Sequence, residues 1–226
     1  MRFIGKLVPM KPLITFCLLL LFIAPACNNL RKPKQTLEQK QKELEAGKLD
    51  EKNIYTVKEV GWTTALPRDW EVVTKRENYE ITEKGKKAIE DMYGTKVNDS
   101  KLVSLVTIRK NMFNSFQSTM EPFDEKTDGD YDAHNIAVQE MIKDVYKEKG
   151  IPTDYTLGAV KIDGIMFDRL EIKLYSPGKK QIILEQKVFS AYINGYDFSM
   201  NINFNNSPDE EKLMDIVMGS KFSIKK

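Results

Sequence analysis

The chain has 226 residues, of which 41% are hydrophobic and 30% charged, with 35 Lys+Arg against 33 Asp+Glu. Setting aside the three basic residues of positions 1–26 leaves 32 Lys+Arg against 33 Asp+Glu, a net of −1, which excludes a basic field for nucleic acid. Eleven Phe, nine Tyr and two Trp are enough to build a core, so most of the chain is read as globular rather than disordered.

Arg2, Lys6 and Lys11 precede an apolar run over residues 13–24 that only Thr15 interrupts. Its 12 residues fall short of the roughly 20 that a spanning helix needs. A basic start, a short apolar middle and small residues before Cys27 predict a secretory signal peptide over 1–26. The stretch "LFIAPAC" resembles the lipobox of bacterial lipoproteins, with Ala24 where Leu is usual and Pro25 after it. That resemblance makes Cys27 the lipidation residue, its thiol carrying a diacylglycerol and its freed amine usually a third chain. Two or more acyl chains hold a protein on a membrane, whereas one binds it marginally. Cys17 leaves with the signal, so the mature chain has no second thiol to mispair in an oxidising compartment. Asn28, rather than Asp, follows the cysteine, and the expected location is the periplasmic face of the outer membrane.

Residues 27–52 are rich in Lys, Glu and Gln and contain no aromatic residue. They are read as a polar tether, with transient helix between Pro33 and Ala46, because they bury too little apolar surface to offset their ordering entropy. The globular domain is assigned to 53–226. "YTVKEVGWTTALP" and "RDWEVV" read as strands, with Trp62 and Trp70 assigned to the core. Ile81, Ala88, Ile89 and Met92 recur at helical spacing, and Gly94 is a natural stop. "KLVSLVTIRK" and "MFNSFQSTMEPF" are strand candidates.

A second helix follows, with Val138, Met141, Ile142 and Val145 on one face, Asp132 as its cap and Gly150 at its close. Two strands are expected about Asp163-Gly164, a turn at "SPGKK", and a hairpin at Asn194-Gly195. In "YDFSMNINF", Phe198, Met200, Ile202 and Phe204 are expected to face a core and Ser199, Asn201 and Asn203 to face outward. "SPDEEKLMDIVMG" predicts a last helix, capped by Ser207, with Pro208 first, a capping box at Glu210, and Leu213, Ile216 and Val217 buried. The fold class is α+β, an antiparallel β-sheet flanked by α-helices.

"ALPRDWEVV" resembles the early Pro-x-x-Trp element of PsbP-like domains, and "INGYDFSMNINF", a helix and "SKFSI" are similar to their closing hairpin, last helix and final Phe. The resemblance covers residues 55–226 and implies an α/β/α sandwich. The superfamily includes extrinsic subunits of the oxygen-evolving complex, a nuclear transport factor and bacterial DcrB-like lipoproteins. It therefore implies binding or assembly rather than catalysis. No cofactor is expected.

The residues themselves offer little chemistry. His134 is the single histidine, and a mature chain without a free thiol lacks a Cys-His pair. Asp128, Asp130 and Asp132 repeat the one-three-five spacing of a calcium loop, but Ala133 replaces its Gly and Gln139 its Glu, so they are weak metal candidates. Gly85-Lys86 lacks the other residues of a phosphate loop. Ser199, Asn201 and Asn203 are the candidate partner face. The expected function is a non-enzymatic envelope lipoprotein that binds or helps assemble a partner protein. The alternatives are an immunity lipoprotein that neutralises a toxin and, third, a carboxylate-based hydrolase.

Overall fold

The computed structural model describes residues 34–224. Its elements in chain order are α1 (Leu37–Lys42), β1 (Lys48–Leu49), β2 (Ile54–Val57), β3 (Trp62–Ala65), β4 (Glu71–Val72), α2 (Lys75–Tyr93), β5 (Val103–Arg109), β6 (Ser115–Pro122), α3 (Glu125–Asp128), α4 (Tyr131–Glu148), β7 (Thr153–Ile162), β8 (Ile165–Tyr175), β9 (Ile182–Ile193), β10 (Tyr196–Phe204), α5 (Ser207–Met218) and β11 (Lys221–Phe222). The strands form a seven-stranded sheet in the order β4-β5-β6-β10-β9-β8-β7 and a four-stranded sheet in the order β1-β2-β3-β11. Every pairing is antiparallel, as tight hairpins between successive strands allow.

Two cores lie on opposite faces of the large sheet. On one face Phe116, Phe189, Phe198, Met200 and Ile202 meet Tyr55 and Trp62 of the small sheet and Leu213, Ile216 and Val217 of α5. On the other, Leu170, Ile172, Leu174, Leu184 and Val188 meet Val138, Met141, Ile142 and Val145 of α4 and Ile89 of α2. The sandwich is therefore helices, large sheet, then a mixed layer of small sheet and α5. The Trp62 indole donates to Ser220 Oγ at 2.9 Å, and its ring lies edge-on to Tyr55 and Phe198. Trp62 and Trp70 are both core residues.

The hairpins form where the turn chemistry placed them. Asp163-Gly164 and Asn194-Gly195 both have positive φ at the two central residues, the conformation that a two-residue turn between twisted strands requires. Gly94 closes α2 in the left-handed conformation. The caps differ in detail. Asp130, not Asp132, caps α4 by accepting from Ala133 N at 2.8 Å. Asn206, not Ser207, caps α5 by accepting from Asp209 N at 3.0 Å. In both cases the carboxyl or amide one position outside the helix reaches an unpaired backbone N–H.

The larger correction concerns the stretch read as a free tether. From Gln35 onward it is part of the fold, with the Gln35 amide bonded to the Val72 backbone. Thr36 and Gln39 form a capping box at the start of α1, and Leu44 and Leu49 are buried in the first core. β1 pairs with β2, and the Tyr55 hydroxyl donates to Ala46 O at 2.7 Å. The segment lacks aromatics, but it completes a core that the rest of the domain supplies. Cys27 and the signal segment lie outside the described residues.

Candidate functional site

The outward partner face expected on β10 does not exist as such. Ser199, Asn201 and Asn203 are buried, on the sheet face that α2 and α4 cover. The side chains of β10 do alternate, but the second face is covered too. Ser199 Oγ lies 2.8 Å from Thr119 Oγ1, and Asn203 Nδ2 donates to Ser115 Oγ at 3.3 Å. Asn201 is fully buried, and neither atom of its amide has a hydrogen-bond partner among the described residues. Gln117, directly opposite Asn201 on β6, leaves its Oε1 unpartnered in the same sense. This is an internal polar layer, closed to any partner.

The layer ends at a titratable cluster at the start of α4. Asp197 is buried, and its Oδ1 accepts from the Tyr131 hydroxyl at 2.9 Å. Its Oδ2 lies 3.2 Å from His134 Nε2. Phe123, Tyr131, His134 and Tyr192 pack around this pair with ring centroids 4.9–6.1 Å apart. His134 is thus held by a carboxylate and aromatic walls rather than standing free in solvent. Glu121 is paired with Asp197 across β6 and β10. Burial, then the Asp197 charge, push the Glu121 carboxyl up to about 7, while His134 and Lys101 pull the other way. Farther in, Asn135 donates to Asp168 and accepts from Ser190 Oγ at 2.9 Å. Chemically the cluster can hold a proton on Glu121 near neutrality and keep the start of α4 fastened to β10. His134 and Glu121 became visible as a unit only when β6, β10 and α4 converged.

The acidic loop has structural duties. Asp124 caps α3, Asp128 accepts from Asp124 N at 2.9 Å, Asp130 caps α4 and Asp132 sits in its first turn, where the helix dipole favours a negative charge. Among the described residues no group of three or more His, Cys, Asp or Glu side chains is arranged to hold a metal ion.

The accessible feature lies elsewhere, at β7. This strand is the lateral edge of the large sheet, ten residues long, paired to β8 without a register shift from Thr153↔Leu174 to Ile162↔Ile165. Thr156, Leu157, Gly158 and Ala159 are all exposed, Leu157 at 55%. Charged residues flank this centre at Asp154 and Lys161, and proline occurs before the strand rather than in it. Edge strands are usually blunted by proline, bulges or central charges, because a bare edge pairs with any extended chain. Beside its first residues lies a shallow concavity lined by Lys143, Lys147, Ile151, Pro152 and Tyr155.

No family model matches the chain, and no curated protein does. Among solved structures, the solution structure of cyanobacterial PsbP (CyanoP) from Synechocystis sp. PCC 6803 is similar, with a TM-score of 0.50 and 10% sequence identity over 75% of this chain and 91% of that one. The fold is PsbP-like. At that identity the likeness speaks for the PsbP-like architecture alone. Among the described residues no helix is long and apolar enough to cross a membrane.

Proposed function

We propose that this protein is a non-enzymatic lipoprotein of the bacterial envelope, DcrB-like in kind, held by a lipid on Cys27 at the periplasmic face of the outer membrane. Its PsbP-like domain binds an extended segment of a partner protein. The observation that carries the reading is the bare edge of β7. An added strand there gains backbone hydrogen bonds along ten residues, and alternate side chains settle beside Tyr155 and Leu157. The concavity at the end of α4, with Asp144 and Lys147 in its lining, accepts one further side chain.

Photo-crosslinking in cells tests this directly. A photoreactive residue at position 156 of the full chain is expected to give a discrete adduct with one envelope protein. The same residue at position 126, on α3, is expected to give none. Leu157→Pro, which removes a backbone donor at mid-edge, should abolish the adduct from position 156. Equal labelling from both positions, or an adduct indifferent to Leu157→Pro, would sink the edge-binding reading.

A further inference from the structure

The β5–β6 hairpin ends in Lys110-Asn111-Met112-Phe113-Asn114, closed by Lys110 N donating to Asn114 O at 2.9 Å. Met112 and Phe113 stand in solvent, 39% and 40% exposed. Their exposure is built, not slack. Asn111 Oδ1 accepts from Phe113 N at 2.8 Å, Asn114 N at 3.0 Å and Asn114 Nδ2 at 3.0 Å. Asn114 is buried and clamps the tip to the start of α5, accepting from Asn205 N at 3.2 Å and donating to Asn205 Oδ1 at 3.2 Å. Lys110 Nζ also reaches the buried Asp209 of α5 at 2.6 Å. Two apolar side chains are thus held outward on a braced turn.

The incoming chain runs close to this tip. Gln35, at the start of the described residues, donates to Val72 O at 2.9 Å and accepts from Val72 N at 2.8 Å. Val72 lies opposite Ile108, four residues before Met112. By strand geometry the incoming chain and the tip are within about 15 Å of each other. Lys34 stands seven residues after Cys27, a reach of at most about 24 Å when extended. Around this end Lys34, Arg68, Lys110 and Lys212 are exposed, with Lys212 beside Asp69 at 3.7 Å and Lys110 paired with Asp209. Lys34 and Arg68, exposed beside the apolar tip, suit an anionic bilayer surface.

We infer that the Met112–Phe113 tip enters the lipid surface beside the anchor, as a second membrane contact that orients the domain. The inference rests on the lipid-anchor reading of Cys27. It gives the fold a direction, because β4 and β7 are opposite edges of the seven-stranded sheet. Six strand spacings, about 29 Å, separate them. With the tip in lipid and the chain arriving at β4, the binding edge at β7 is held away from the anchored side.

The test uses the mature full chain, purified from membranes and placed in vesicles of phosphatidylethanolamine and phosphatidylglycerol. Met112→Cys carries an environment-sensitive fluorophore, and Met166→Cys, on β8 near the far edge, carries the same one in a parallel sample. Quencher-bearing lipids are expected to dim the position-112 label several-fold more than the position-166 label. Phe113→Ser in the Met112→Cys chain should remove most of that difference, since it spares the Asn clamp. Mass measurement of the Cys27 peptide is made on the same material. Equal dimming at both positions in protein whose Cys27 is lipidated overturns the inference and leaves the anchor intact. An unmodified Cys27 overturns the anchor reading, and the inference with it. A position-112 label shielded from aqueous quencher in native membranes yet untouched by lipid quencher assigns the tip to a protein partner instead, which also overturns it.

Discussion

Glu121 shows most plainly how position alters a side chain. Folded, its carboxyl titrates at about 7 because burial and Asp197 disfavour its charge; unfolded, it titrates near the ordinary 4.5. Between those values the folded chain holds a proton that the unfolded chain has lost, so stability falls as pH rises from about 4.5 to about 7. Glu121→Gln is expected to flatten that decline and raise the melting temperature at pH 8, as followed by circular dichroism across a pH series. A variant with the same slope as the parent would place the titration elsewhere. Asn201 makes a second residue-scale case. A buried amide without partners costs about 1–3 kcal/mol, so an apolar replacement of similar size relieves it. Asn201→Leu is expected to leave stability unchanged or raise it by about 1 kcal/mol in urea unfolding. A loss beyond about 2 kcal/mol would mean that ordered water satisfies the amide.

At the scale of elements, α1 and β1 are the informative pair. Their residues look solvated one by one: Lys, Glu and Gln dominate them. Thr36 with Gln39 three residues on is a capping box that the sequence does display, and Leu37, Leu44 and Leu49 supply the contacts with the core. Leu44→Ala and Leu49→Ala should each cost about 2–3 kcal/mol, the usual penalty for emptying a core position. Costs below about 0.5 kcal/mol, measured by chemical unfolding, would restore the tether reading. β7 has the opposite property. Its ordered backbone is satisfied toward β8 and open on the other side, which is why Leu157→Pro is expected to disturb binding more than stability.

For the whole molecule, the consequence is where the independently folding unit begins. A chain of residues 53–226 lacks Leu44 and Leu49 and the Ala46 carbonyl that accepts from Tyr55. Compared with residues 34–226, it is expected to be less stable by about 3 kcal/mol or more. Coincident melting curves for the two would show that α1 and β1 only decorate the surface. The two-core construction explains the sensitivity. Each face of the large sheet is covered, so stripping elements from either side exposes a layer that has no other cover.

The sequence by itself determined the local grammar. Asp163-Gly164 and Asn194-Gly195 turned where they should, Gly94 ended α2, Leu213, Ile216 and Val217 faced inward, and the antiparallel α+β class followed from short connections between alternating strands. These are short-range effects, set by φ preferences and by periodicities of 2 and 3.6 residues. What covers a given face is a long-range matter, and only the tertiary structure decided it. Ser199, Asn201 and Asn203 alternate as a solvent face would, yet α2 and α4 lie over them, contributed by chain more than 50 residues away. Asp197, Glu121, Tyr131 and His134 meet only because β6, β10 and α4 converge. Alternation says that a strand has two faces; it takes the packing of distant elements to say which of them is covered, and on β10 both are.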